Sequence, residues 1–373
     1  MKSTGSGSEE LAILPTIFAN KKRLWLFLFV ALVLTASVII PATPDELSRL
    51  QYAQTFLSGW HYDFHWPLAT MVLPVIVEFV LDGEVATLRW LNSMLIVGCG
   101  YIFVNRMPDS NVADVLVLVS LPALALLTAT STPQSLIVAW GLLLLAYNER
   151  WAMVVLTVLL LLTNPALGPL FGVLSVFLIW RRGINFVLSY LFFVSVIVGL
   201  LSLSTIIFSS HYSITMSSVG PVNLYLGNNA DPLSFRGFAR PEYSGYCAEY
   251  VTCAFDYIQD NPMSAVLNWI KKLVFYFLPF DSFRSEQFAG PVSLVFMLYV
   301  AVYQVILYVT LFFQRHKIEA LYILIAYLLM SVVYSIFFIK LRFRLPLDIL
   351  FAAAICFLID KDFLLMKPAK FSR

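Results

Sequence analysis

The sequence predicts an all-α integral membrane protein of about ten transmembrane helices, with both termini in the cytoplasm and amphipathic helices in a large first outer loop. Composition is the first sign. Of 373 residues, 60% are hydrophobic and only 12% are charged, where a soluble domain carries about 25%. A water-soluble fold of this size cannot hide that much apolar surface, so the medium around most of the chain is lipid. The second sign is a succession of apolar runs long enough to be helices. The third is the placement of Lys and Arg between those runs.

The spans fall near 24–41, 86–104, 113–129, 134–147, 151–163, 166–180, 185–208, 292–313, 319–339 and 345–359. The runs at 134–147 and 151–163 are short, and need flanking residues or a thin bilayer to cross. With the N-terminus inside, the cytoplasmic segments hold 14 of the 24 basic residues and 8 of the 22 acidic ones. The inner side is then positive and the outer side negative. Connectors such as Arg181-Arg182 and Arg315-His316-Lys317 carry this signal most clearly.

Two stretches do not fit as spans. The 68–81 run is short and holds Pro74 and Glu78, and the 264–280 run has Lys271 and Lys272 at its centre. Both read as amphipathic helices lying in the outer interface. Residues 1–23 read as a disordered cytoplasmic tail without a cleavable signal, 24–360 as the polytopic domain, and 361–373 as a basic cytoplasmic tail. A net charge of +2 without a long basic run argues against nucleic acid as a partner. Four cysteines are too few to define a metal cluster.

The two long outer segments, about 42–85 and 209–290, are where function is expected. The first opens with Pro44-Asp45-Glu46, placing two adjacent carboxylates at the membrane surface. Asp45 lies at or near a helix N-terminus. Spacing alone therefore leaves two readings: a cap followed by a solvated first-turn acid, or a functional acid pair. Further along, His61, Asp63, His65 and Trp66 lie within one aromatic stretch. That stretch reads as a sugar platform, a His-x-Asp-x-His metal site or an interfacial aromatic belt.

The second outer segment carries Gly227-Asn228-Asn229, which is rich in amide donors. It also carries Cys247 and Cys253, which can pair in an oxidising compartment. Cys99 and Cys356 fall inside spans and read as packing residues. Before the last span stand Lys340, Arg342 and Arg344, on the outer side against the general charge trend. They read either as an anion site suited to phosphate or as cations snorkelling to headgroups. Lys271 and Lys272 lie on the same side.

A carboxylate base, a sugar-friendly aromatic segment and cations for a departing phosphate on one membrane face suit transfer of a sugar from a lipid phosphate. The order of these features resembles the GT-C class of polytopic glycosyltransferases. The branch it is most similar to holds the protein O-mannosyltransferases and lipid A aminoarabinose transferases. Pro44-Asp45-Glu46 with Tyr52-Ala53 and Gly59 carries the likeness, as do Trp66-Pro67-Leu68 with Leu88-Arg89-Trp90-Leu91-Asn92, Leu226-Gly227-Asn228-Asn229, and Arg342-Phe343-Arg344-Leu345-Pro346.

The resemblance implies an inverting transferase with Asp45 as general base and Arg342 and Arg344 near the lipid phosphate. Its donor is a polyprenyl-phosphate sugar, and its acceptor is a hydroxyl of a glycan, lipid or protein. Glu46 and Asp63 would orient substrate, together with His61, His65, Trp66, Asn228 and Asn229, while Lys271 and Lys272 join the phosphate site. The setting implied is a bacterial inner membrane with the active site facing the periplasm. Where family members often show a second acid, the loop here reads Ser131-Thr132-Pro133-Gln134. This favours transfer without a metal, and no cofactor is assigned. Two rival readings are a surface-polysaccharide polymerase using diphosphate-linked oligosaccharides and a transporter or lipid flippase. Against the latter, ionisable groups at mid-membrane are nearly lacking.

Overall fold

A computed structural model describes residues 21–40, 42–59, 66–81, 83–107, 110–147, 149–209, 219–237, 239–244, 247, 249–278, 291–337 and 341–359. Among them the chain is helical with no strand. The first helix, α1 (Lys21–Ile39), is followed by α2 (Pro44–Gly59), α3 (Leu68–Val80), α4 (Val85–Arg106), α5 (Asn111–Ala129), α6 (Pro133–Ala146) and α7 (Arg150–Thr163). Then come α8 (Gly168–Arg182), α9 (Ile184–Ser209), α10 (Val219–Gly227), α11 (Pro241–Ser244), α12 (Tyr250–Asp260) and α13 (Pro262–Phe277). The last three are α14 (Pro291–Phe313), α15 (Ile318–Ile336) and α16 (Leu341–Ile359).

Local sequence explains most boundaries. Prolines 133 and 262 occupy the first helical position of α6 and α13, where the missing N–H costs nothing. Gly183 separates α8 from α9 at φ +83°. Its N–H closes on the Ile179 carbonyl at 2.9 Å, an arrangement glycine adopts without strain.

Five helices, or their cores, are long and apolar enough to cross a membrane: Val85–Arg106, Val112–Ala129, Ile184–Leu203, Leu294–Phe313 and Ile318–Ile336. The protein is therefore an all-α, multi-pass membrane protein. Among the described residues each run read as a span is largely helical, but α6 and α7 have 14 residues each. That is about 21 Å of helix, against roughly 30 Å of hydrocarbon.

Side-chain contacts sort the helix ends into two groups. At the lower end, where α1 begins, Lys22 bonds the Met107 carbonyl and Arg106 the Ala146 carbonyl. Arg150 meets Ser189 there, and Arg181 pairs with Glu319. At the upper end, Arg89 of α4 meets the last turn of α1, Asn92 bonds the Thr128 carbonyl near the end of α5, and Asn164 bonds Tyr334 of α15. Helix α16 runs antiparallel to α5, since Cys356 near its end approaches the Ala113 carbonyl near the start of α5. The first turn of α16 therefore lies at the upper end.

Helices α5, α6 and α16 form the centre. Residues 345–357 of α16 are buried almost without break, and Gly141 of α6 lets Leu350 lie against its backbone. A Cβ at Gly141 would stand 2.4 Å from Leu350 Cδ2. Gly141→Val should therefore cost about 1–3 kcal/mol through overpacking. Gly98→Ala, whose added Cβ meets nothing within 4 Å, should be neutral or gain up to about 1 kcal/mol. Denaturant unfolding in detergent micelles measures both.

Candidate functional site

The two adjacent acids after α1 sit in one buried polar knot. Thr43 is the residue before α2, and its N–H donates to Glu46 Oε2 at 2.7 Å. In return, the Glu46 N–H donates to Thr43 Oγ1 at 3.2 Å. This is a capping box. Thr43 thus holds the cap position that one of the two sequence readings gave to Asp45, and Asp45 stands inside the first turn. Nor is Glu46 a solvated acid. It is fully buried and receives Arg89 Nε at 2.7 Å and Nη2 at 2.8 Å, a two-pronged ion pair. The third guanidinium nitrogen of Arg89 donates to the Ile40 and Ser37 carbonyls at 2.7 and 3.2 Å, satisfying carbonyls that α1 leaves open at its C-terminus.

Arg49 lies one turn after Asp45 and is also buried. Its Nε donates to the Asp45 carbonyl at 3.3 Å and its Nη1 to the Thr70 carbonyl of α3 at 3.5 Å, while Nη2 bonds the Ser131 carbonyl. Burial pulls its pKa down to about 10, against the pull of Asp45 and Glu46. Two acids and two arginines thus balance. Asp45 keeps 8% exposure where Glu46 keeps none, so Asp45 is the acid at the edge of the knot.

The loop that Arg49 holds is unusual. Ser131 has φ +42°, the only non-glycine residue with positive φ among the described residues, a conformation that costs energy and recurs at functional sites. Ser131 Oγ, Thr132 Oγ1 and Gln134 Oε1 are buried and lack hydrogen-bond partners among the described residues. Ser135 is satisfied, donating to the Thr132 carbonyl at 2.6 Å and to Asn92 Oδ1 at 3.1 Å. Three orphaned oxygens next to an acid–arginine knot can take up hydroxyl groups. Trp66 docks on α2 through its ring N–H to Ser48 Oγ at 3.2 Å. His61, Asp63 and His65 lie outside the described residues.

A second polar cluster joins the end of α10, α13 and α15. Asn228 Nδ2 donates to the Leu224 carbonyl at 2.8 Å and to the Ile336 carbonyl at 2.7 Å. Asn229 closes its own turn onto the Tyr225 carbonyl and receives the Asp231 N–H. Asn268 ties α13 to the Gly227 carbonyl at 3.0 Å. Arg240 faces Asp231 and holds its carboxyl at about 2. The disulfide Cys247–Cys253 closes the start of α12, with Cα atoms 6.2 Å apart.

Lys272 is fully buried, and its ammonium donates to Asn228 Oδ1 at 3.0 Å. No carboxylate is bonded to it among the described residues. Burial alone lowers its pKa to about 7. Lys271, by contrast, is exposed, so the two neighbouring lysines are not equivalent.

The pair before the last span is also split. The sequence reading starts the last span near 345, whereas α16 begins at Leu341 and carries both arginines in its first turn. Arg344 is buried and pairs with Asp348 one turn on, at 3.1 Å. It also bonds the Tyr276 carbonyl, and the Leu278 carbonyl at 3.0 Å. The Gln304 side-chain oxygen, turned to face the guanidinium, accepts from it at 2.9 Å. Tyr327 donates to the other Asp348 oxygen at 2.6 Å. These partners use most of the donors of Arg344, so its role is to pin the end of α13 to α16 and not to offer an open fork. The side chain of Arg342 lies outside the described residues.

Both clusters stand at the upper end of the bundle. Sequence reasoning found Asp45, Glu46, Asn228, Asn229, Lys272 and Arg344, but gave no role to Arg49, Asp348 or the Ser131 loop, and quoted Arg89 only as part of a likeness. Two local signals were present: Thr43-x-x-Glu46 is a capping-box spacing, and Arg344 and Asp348 are four residues apart on one helix. Among the described residues no three His, Cys, Asp or Glu side chains group as metal ligands. No family model, curated protein or solved structure matches the chain.

Arg89→Ala strands the Glu46 charge and should cost about 3–5 kcal/mol, whereas Glu46→Leu with Arg89→Met should recover most of it. Thermal melts of the three proteins in micelles check this. Lys272 has a folded pKa below its unfolded one, so the unfolded chain binds the extra proton between about pH 7 and 10.5. Stability should rise with pH across that window. Lys272→Met should raise the Tm most at pH 7 and below, and the gain should fade toward pH 10.5.

Proposed function

We propose that this protein is a membrane glycosyltransferase that moves a sugar from a polyprenyl phosphate to a hydroxyl acceptor on the outer face of a bacterial inner membrane. The observation that carries the reading is the knot at the exit of α1. A carboxylate at the edge of a buried, charge-balanced cluster adjoins three orphaned oxygens, at the same bundle end as a lysine bonded to no acid. Asp45 accepts the proton of the acceptor hydroxyl as that oxygen attacks the anomeric carbon. The bond from that carbon to the phosphate oxygen breaks, and the phosphate leaves with the electron pair, inverting the centre. Glu46, paired to Arg89, holds α2 at the end of α1 so that Asp45 is presented. Lys272 and Arg342 meet the departing charge, and Arg344 positions α13, which carries Lys272. Ser131, Thr132 and Gln134 bond sugar hydroxyls, alongside the aromatic stretch that ends at Trp66. Movement of the Asn228 side chain admits the phosphate to Lys272.

The ten-span layout with cytoplasmic termini belongs to this reading. It is supported by the alternation of helix ends between the two groups of contacts and by the basic residues at the lower end. A disulfide in the upper segment suits an oxidising exterior. Because α6 is about 9 Å shorter than the hydrocarbon core and its lower end meets Arg106, its upper end stops below the surface. The Ser131 loop then lies below it as non-helical backbone buried in protein, which membrane depth tolerates.

Asp45→Asn should reduce transfer from a polyprenyl-phosphate sugar by at least ~100-fold in protein that still folds, with a Tm lowered by the loss of one of the two acids that balance Arg49 and Arg89. Full activity in that variant removes Asp45 from the mechanism. Purified protein that uses only diphosphate-linked oligosaccharides is a polymerase instead. Protein that moves label across vesicles without forming a glycoside is a transporter.

A further inference from the structure

Helix α13 turns its polar side inward. With successive residues about 100° apart around a helix, Asn268, Lys272 and Tyr276 fall on one face, and all three are buried. Asn268 donates to the Gly227 carbonyl at 3.0 Å and to Ser234 Oγ at 2.9 Å, and Lys272 donates to Asn228 Oδ1 at 3.0 Å. The opposite face carries Met263, Leu267, Ile270 and Val274, with Val266 beside them. All five are exposed, from 46% at Ile270 to 72% at Met263. A helix lying on a membrane surface turns its polar face to water and its apolar face to lipid. In α13 the polar face is engaged by the protein, so the face turned away from the bundle is the apolar one.

Two further observations give that face its depth. The Asn228 side chain that receives Lys272 also reaches the Ile336 carbonyl, at the upper end of α15. One turn further along α13, Tyr276 packs against Tyr334 and Tyr327 of α15 with ring centroids 6.4 and 5.8 Å apart, and Phe277 meets Tyr327 at 5.9 Å. Tyr327 stands two and a half turns below Ile336, about 13 Å down the helix. Helix α13 therefore descends along α15, which is long and apolar enough to cross a membrane. At the foot of this descent, buried Arg344 takes the Tyr276 and Leu278 carbonyls. Carbonyls at a helix C-terminus find partners in water unaided, whereas in hydrocarbon the protein must supply them. We infer that α13 is a re-entrant helix set into the leaflet at the upper end of the bundle, with lipid acyl chains as the partner of its Met263–Val274 face. The run is immersed without crossing, and does not lie flat in the interface as its lysine-bearing centre suggests. A second copy of this chain suits that face less well. Lys271 is exposed on its flank, and a dry protein interface would have to supply it an acid, whereas lipid lets it snorkel to the headgroups. The inference is independent of the proposed transfer chemistry.

The test places a nitroxide on single introduced cysteines in the full chain, reconstituted into phosphatidylcholine liposomes. It reads collision of the label with oxygen against collision with a water-soluble nickel chelate present on both sides of the bilayer. Cys99 and Cys356 are buried, and any label taken up by the unaltered chain is subtracted. Glu242→Cys, exposed on α11, is the aqueous reference, and Val302→Cys, exposed on the apolar α14, is the lipid reference. Ile270→Cys and Val274→Cys should each give an oxygen-to-nickel ratio at least tenfold above that of Glu242→Cys and close to that of Val302→Cys. The ratio should climb from Met263→Cys to Val274→Cys as the helix descends. Every substituted side chain is exposed, and the Tm of each variant confirms that it folds. Ratios at 270 and 274 no higher than the aqueous reference put this face in water. Low collision with both reagents puts it against protein, such as a second copy. A ratio that does not change from 263 to 274 removes the descent. Any of the three would overturn the inference.

Discussion

Arg89 joins three helices at a single point, and the upper end of the bundle is organised around it. Its fork closes on Glu46 while its remaining nitrogen takes two carbonyls at the end of α1. A carboxylate buried to this degree is tolerable only with a partner in near-ideal geometry. Glu46 has that partner and also completes the cap of α2. The turn between α1 and α2 is thereby fixed, and Asp45 is delivered to the margin of the cluster. Arg49 repeats the device one turn later by reaching the strained Ser131 loop.

The second cluster applies the same constraint with a different outcome. Arg344 and Asp348 neutralise each other inside the bundle, and tyrosine and glutamine take up the remaining polar atoms. Lys272 donates to an amide oxygen, and no carboxylate is bonded to it among the described residues. That is why the proposed reading brings the departing phosphate to Lys272. An adjacent lysine or a nearby arginine is not interchangeable with it, because what matters is which donors are already spent.

The functional reading joins features at different levels. The likeness to GT-C transferases rests on short motifs in order, and the geometry adds a chemical rationale for some of them. Pro44-Asp45-Glu46 becomes one acid at the margin of a buried cluster and one structural acid. Arg342-Phe343-Arg344 becomes a helical turn in which the second arginine is a brace. Ser131-Thr132-Pro133-Gln134, which lacks a carboxylate, becomes a set of buried neutral oxygens. In the proposed reading these neutral oxygens bond sugar hydroxyls.

By itself the sequence determined that the chain is helical and lipid-embedded. Each of these follows from composition or from runs of neighbouring residues, which act over a few turns of helix. It also brought Asp45, Asn228 and Lys272 to attention through residue types out of place. Only the tertiary structure decided which charges are spent. Glu46 meets Arg89 across 43 positions, Lys272 meets Asn228 across 44, and Arg49 meets Ser131 across 82. The energy of a buried ion depends on the partner that reaches it, and no local pattern encodes a partner that distant.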